Sequence, residues 1–101
     1  MKKNIHFKAL INYYSIENGG LTSPISSGYR SSVKFPFELT PYIAVQEFHH
    51  SELIFPGDSA VIEVTLIGAE KFLEKLYNGM DFELEDNSGN IANGVITELY
   101  F

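Results

Sequence analysis

A chain of 101 residues, 45% hydrophobic and 14% aromatic, fits one domain with a core of its own and leaves no room for a second substantial one. It has no Cys, which excludes disulfides and thiolate chemistry and is compatible with the cytoplasm, and no apolar run approaches the roughly 18 residues of a membrane helix. Thirteen acidic against seven basic residues give a net charge of −6, with Lys2-Lys3 the one basic cluster; this argues against nucleic-acid binding, which draws affinity from clustered Lys and Arg on phosphates. A solvated surface is the simpler account of the acidity, and an acidic face for a basic partner is the sharper one.

Period two dominates. "MKKNIHFKALIN" has two Lys and then alternates, with no apolar core or cleavage site, so it reads as a first strand and not a signal peptide. Ile5, Phe7, Ala9, Ile11 and Tyr13 form its apolar face. "GGLTSPISSGYR", residues 19–30, follows as a twelve-residue loop, although a hairpin needs only two to five, and it ends on Tyr29-Arg30. "SVKFPFEL", residues 32–39, resumes β character; Pro36 lacks a ladder donor and puts this strand at an edge or at a bulge. "YIAVQEF", residues 42–48, is another strand, and "ELIFPGDS", residues 52–59, ends in a Pro-Gly turn.

"AVIEVTLIG", residues 60–68, is the clearest strand, with Glu63 and Thr65 on its wetter face. In "AEKFLEKLYNG", residues 69–79, Phe72, Leu73, Leu76 and Tyr77 recur at helical spacing and Asn78-Gly79 suits a C-cap, which predicts one to three helical turns. "MDFELED" alternates strictly: Met80, Phe82 and Leu84 face in, and Asp81, Glu83 and Glu85 form one outward acidic strip. "NSGN" turns the chain, and "IANGVITELY" closes it with Gly94 at a bulge or a close backbone approach. Six or seven short strands and one short helix predict an antiparallel all-β sandwich or barrel, a single domain over residues 1–101.

Catalytic patterns are lacking. There is no phosphate-cradling P-loop, and no His-Glu-x-x-His or Cys cluster for zinc. His49-His50 with Glu47 and Glu52 is the one metal-like grouping; adjacent histidines on a strand point to opposite faces, so they read as solvated or loop-packed. Ser26, Ser27, Ser31 and Ser32 have no base assigned to them and read as loop hydroxyls. The strip Asp81, Glu83 and Glu85 reads as a solvated face and not as a catalytic carboxylate pair. The six Tyr suit packing better than base stacking, since Lys and Arg are not interleaved with them. The expectation is a non-enzyme with no catalytic residue, metal or cofactor.

Three stretches carry a likeness. The loop 19–30 resembles one in the C-terminal, third β-barrel domain of elongation factor Tu, through Gly19, Gly20, Pro24, Gly28, Tyr29 and Arg30. "LIFPGDSAVIEVTLI" resembles that family's Pro-Gly-Asp turn and following strand, and "MDFELEDNSGNIANGVITEL" its final hairpin, with Phe82 and Gly94 to Ile96 in register. The likeness spans roughly residues 5–99. It implies a six-stranded antiparallel Greek-key barrel whose long loop crosses the barrel end and forms part of a functional surface. In that setting Tyr29-Arg30 either tie the loop to the barrel or contact a partner.

The departures from the family carry the functional expectation. Its GTP-binding domain has no counterpart here, so no GTP binding is expected. Leu21-Thr22 replace an Arg-His pair, Asp81 and Glu85 lie near family arginines, and Asn90 replaces another. Groups that face phosphate have become neutral or acidic, which argues against tRNA binding. The helical insert 69–77 is longer than the family's equivalent. The resulting expectation is a stand-alone cytoplasmic barrel that binds a protein partner and no membrane, with Tyr29, Arg30, Asp81, Glu83 and Glu85 as contacts. It would mimic the translation factor, or neutralise a toxin as an immunity protein, helped by charge steering. The alternative is a translation-associated domain on tRNA or the ribosome, which a basic patch of Lys8, Arg30, Lys34 and Lys71 would favour.

Overall fold

The alternation of residues 5–13 becomes strand β1 (Phe7–Tyr13), with Phe7, Ala9, Ile11 and Tyr13 buried and Leu10 and Asn12 outside. The computed structural model describes residues 5–68, 71, 73–87 and 89–101. Seven further strands follow: β2 (Ile25–Ser26), β3 (Tyr29–Lys34), β4 (Tyr42–Glu47), β5 (Leu53–Ile54), β6 (Ser59–Ile67), β7 (Asp81–Asp86) and β8 (Gly89–Leu99). Six of them close an antiparallel barrel in the order β1-β6-β4-β3-β7-β8, and β2 pairs β5 as a separate two-stranded sheet. The inward residues of all six barrel strands make one core, which includes Val33, Ala44, Val64, Leu84 and Ile96. Closure leaves the barrel without a free edge. Among the described residues no helix is long and apolar enough to cross a membrane.

The long loop holds more structure than its composition implied. Ser15 and Ile16 carbonyls accept the Gly20 and Gly19 N–H groups at 3.0 and 3.2 Å, which reverses the chain in a short 3-10 turn. A Cβ on Gly20 would fall on the Tyr14 carbonyl, so the close approach requires Gly. Leu21 and Ile25 then drop into the core, and Ile25 pairs Ile54 of β5. The twelve residues are long because they supply a strand and two core side chains.

Strand β3 starts at Tyr29, three residues before the expected Ser32, and ends ahead of Pro36. Pro36 is therefore neither in an edge strand nor at a bulge. It follows Phe35 in a turn closed by the Glu38 N–H to the Phe35 carbonyl at 3.2 Å, where its fixed φ fits and its missing donor costs nothing. The Pro56-Gly57 turn forms as expected, with the Asp58 N–H on the Phe55 carbonyl at 3.0 Å and the Asp58 carboxylate accepting the Phe55 N–H at 2.9 Å. Of the predicted helix, the described residues form one short 3-10 turn, Leu73–Lys75, after which Leu76 is buried and Tyr77 exposed; Ala69, Glu70 and Phe72 lie outside the described residues. Spacing of three, as between Leu73 and Leu76, suits a 3-10 turn as well as an α-helix.

Strand β8 is irregular. Its register shifts against β7 between Leu84 and Glu85 and against β1 between Lys8 and Ala9. The extra residues show as Ile91-Ala92 both buried and Thr97-Glu98 both exposed. Gly94 lies at neither shift. It faces Phe82 across the ladder, and a Cβ there would sit 2.5 Å from the Phe82 ring, so the alternative realised is close approach.

Candidate functional site

All five residues proposed from sequence lie on β3 or β7, two neighbouring strands that run antiparallel with Ser32 opposite Glu85, Val33 opposite Leu84 and Lys34 opposite Glu83. Glu83 and Glu85 belong to this seam itself, and Tyr29, Arg30 and Asp81 lie on the same strands beyond its paired residues. Two open grooves flank this seam, and they divide the residues between them. Asp81 and Glu83 are exposed along the first groove, while Tyr29, Arg30 and Glu85 line the second. The acidic strip expected as one row on β7 is thus shared between two surfaces, and Glu85 is half-buried.

The first groove has a volume of about 450 Å³. Its floor is the aromatic end of the core. The Phe35 and Phe82 rings lie 5.9 Å apart, Phe7 meets Phe82 at 5.7 Å edge-on, and Phe37 stacks on Phe35 at 5.6 Å. Lys75 Nζ lies 5.5 Å from the centre of the Phe37 ring. Gly94 gives the Phe82 ring its room. The rim carries three carboxylates, Glu38, Asp81 and Glu83, and one cation, Lys34. Glu38 Oε1 accepts the Leu39 N–H at 3.0 Å, which shapes the loop, and Leu39 beside it is 89% exposed.

The second groove, about 580 Å³, is more polar: Tyr29, Arg30, Ser31, Ser32, Glu85, Asp86 and Asn87 line it with Ile43. Partial burial, and then the Asp86 charge, raises the Tyr29 phenol above its ordinary range. Tyr29 and Arg30 belong to the barrel wall and not to a crossing loop, since they pair Gln46 and Val45 of β4. Beneath this groove runs a buried chain of hydrogen bonds. The Tyr13 hydroxyl donates to Gln46 Oε1 at 2.6 Å, and Gln46 Nε2 donates to Ser31 Oγ at 2.8 Å. Gln46 is 0% exposed, and burial pushes the Tyr13 phenol far above its usual value, with Tyr29 adding to the shift.

This chain of bonds was missed from sequence. Its signal is the parity of β4: Gln46 shares the inward face with Ala44, while apolar Ile43 points out, 45% exposed. His49 and His50 lie in a bend beyond β4 and not on a strand, and His49 Nε2 is 3.3 Å from Glu63 Oε1. Three of the four basic residues considered as a phosphate-binding patch stand among acids: Lys8 pairs Glu63 and Glu98, Lys34 pairs Glu83, and Arg30 shares its groove with Glu85 and Asp86. No protein-family model matches the chain.

Proposed function

We propose that this barrel is a non-catalytic interaction module that binds a basic protein partner across the β3–β7 seam. The observation that carries the reading is the lining of the two grooves, where Glu38, Asp81, Glu83, Glu85 and Asp86 stand against Lys34 and Arg30. Such a face steers a basic surface and repels phosphate, so a protein is favoured over tRNA. The first groove adds apolar area beside the charge, and Tyr29 and Arg30 in the second are of the residue types that anchor interfaces.

The scaffold proposed is the Greek-key barrel of the elongation factor Tu third domain. The strand order supports it: β3, β4 and β6 lie side by side, and β1 returns to lie next to β6. Mimicry of the translation factor and neutralisation of a basic toxin are two settings in which such a module would act in the cytoplasm.

The test is a pull-down at low and moderate salt, with the wild-type chain and a Glu83→Lys/Glu85→Lys variant as baits. A basic protein held at moderate salt by the wild type and lost by the variant supports the proposal. Equal capture by both baits, or recovery of RNA that falls away as salt rises, overturns it.

A further inference from the structure

We infer that the first groove receives an extended basic segment of the partner, in which two Lys or Arg two residues apart are flanked, two residues beyond the one that meets Asp81, by a large apolar side chain. This rests on the seam being a protein-binding face and names what one half of it recognises.

Three observations converge. The first is the shape and chemistry of the floor, where Phe35 and Phe82 are core rings that meet an open groove of about 450 Å³. That volume lies within the roughly 300–1,000 Å³ of ligand clefts. A small molecule would need several convergent donors and acceptors to orient it, and the groove offers three carboxylates, a single cation, Lys34, and the Asn93 amide, which already bonds Asn12 and Tyr14.

The second observation is spacing. Asp81 and Glu83 are both exposed on one face of β7. Two strand steps separate them by about 6.6–6.8 Å, which is also the repeat between alternate side chains of any extended chain. Cations at positions i and i+2 of an extended segment therefore meet both carboxylates in register. Beyond Lys34, which stands opposite Glu83, β3 runs toward the Asp81 end and into the turn that holds Phe35 and Pro36, with Leu39 just after it. The apolar anchor thus falls past the Asp81 end.

The third is charge. Three carboxylates against one lysine complement a basic segment, and a net charge of −6 sets a second copy of this chain against the same rim.

The probe is a blocked peptide, Lys-Ala-Lys-Ala-Leu-Ala, titrated into the ¹⁵N-labelled chain, with two control peptides that carry Glu for both Lys or Ala for Leu. We expect saturable amide shifts at Lys34, Phe35, Leu39, Phe82 and Glu83, and none with the Glu peptide. Glu83→Lys should weaken binding about tenfold, and Lys34→Glu should strengthen it about threefold, both effects shrinking as salt rises. A gain of affinity in Lys34→Glu is not an outcome that misfolding produces.

Absence of shifts at millimolar peptide, or equal binding of the Lys and Glu peptides, overturns the inference. Shifts confined to Tyr29, Ser32, Glu85 and Asn87 would also overturn it, yet would keep the seam as the binding face. Concentration-dependent dimerisation that protects the first groove would assign it to a second copy instead. The seam reading itself falls on the pull-down, if capture is indifferent to Glu83→Lys/Glu85→Lys or if salt-sensitive RNA is recovered, so the two failures are separable.

Discussion

The two ends of the β3–β7 seam rest on different interiors. Under the first groove lie Phe7, Phe35 and Phe82, joined by ring contacts. Under the second lie Tyr13, Gln46 and Ser31, joined by hydrogen bonds. Apolar packing tolerates small shifts in direction but not changes in volume, because its density is already that of a crystal. A buried hydrogen-bonded chain behaves in the opposite way: it fixes direction, and it suffers most when one member is removed and its partner is left unsatisfied. One seam thus presents an adaptable apolar floor at one end and a directional polar one at the other.

The comparison breaks most sharply at Phe82. Phe82→Ala opens a cavity between Phe7 and Phe35 and should cost about 3–5 kcal/mol in urea unfolding, with loss of the first groove's floor. Gly94→Ala attacks the same end by overfilling. Its Cβ meets a ring held on two sides by other rings, so a loss of about 1–3 kcal/mol is expected in the same assay.

At the polar end, Tyr13→Phe removes the donor to Gln46 Oε1 and should cost about 1–3 kcal/mol. The triple change Tyr13→Phe/Gln46→Leu/Ser31→Ala should cost less than the sum of the three single changes, because it leaves no orphaned polar group. Additive losses would show that the bonds are not a unit.

Tyr13 also fixes the sign of the alkaline response. Its folded phenol holds its proton above the ordinary value of 10.0, so its contribution is complete below pH 10. Above that the unfolded chain gives up a proton that the folded chain keeps. Stability should then fall by up to about 1.4 kcal/mol per pH unit for this group. Thermal melts between pH 9 and 11 should show a shallower fall in Tyr13→Phe than in the wild type. The smallest effect belongs to the exposed rim: Glu83→Lys should change stability by less than about 0.5 kcal/mol while it alters binding, which separates the surface of the seam from its foundations.

The inner face of this barrel could be read from sequence where one period ran long enough. β1, β6 and β7 bury Ile11, Ile62, Val64 and Leu84 as their alternation requires, and the Pro56-Gly57 turn follows from backbone chemistry alone. β2 and β5 escaped because two residues cannot display a period, and they stand as strands through each other. The start of β3 was hidden by Ser26-Ser27-Gly28, whose composition signals a loop, although the Gly28 N–H already bonds the Gln46 carbonyl and Tyr29 to Ser31 pair β4. The shifts in β8 did leave a trace in the doubled apolar Ile91-Ala92 and the doubled polar Thr97-Glu98. Within the candidate site, the residue types were legible and their grouping was not. Whether Glu85 sits with Glu83 or with Tyr29 depends on what β3 places across from it, and that is a long-range fact.

The pairing of β1 with β8 has a consequence for biosynthesis. β8 spans 11 residues and bonds both β1 and β7, so it is the stave that shuts the wall. As the chain leaves the ribosome, β1 waits through the synthesis of every other strand with one side unclaimed. A nascent or truncated chain that lacks β8 exposes the edges of β1 and β7 together, and each is a template for pairing with another chain. Pairing through the strand edges of the barrel should therefore be a hazard of birth and not of maturity.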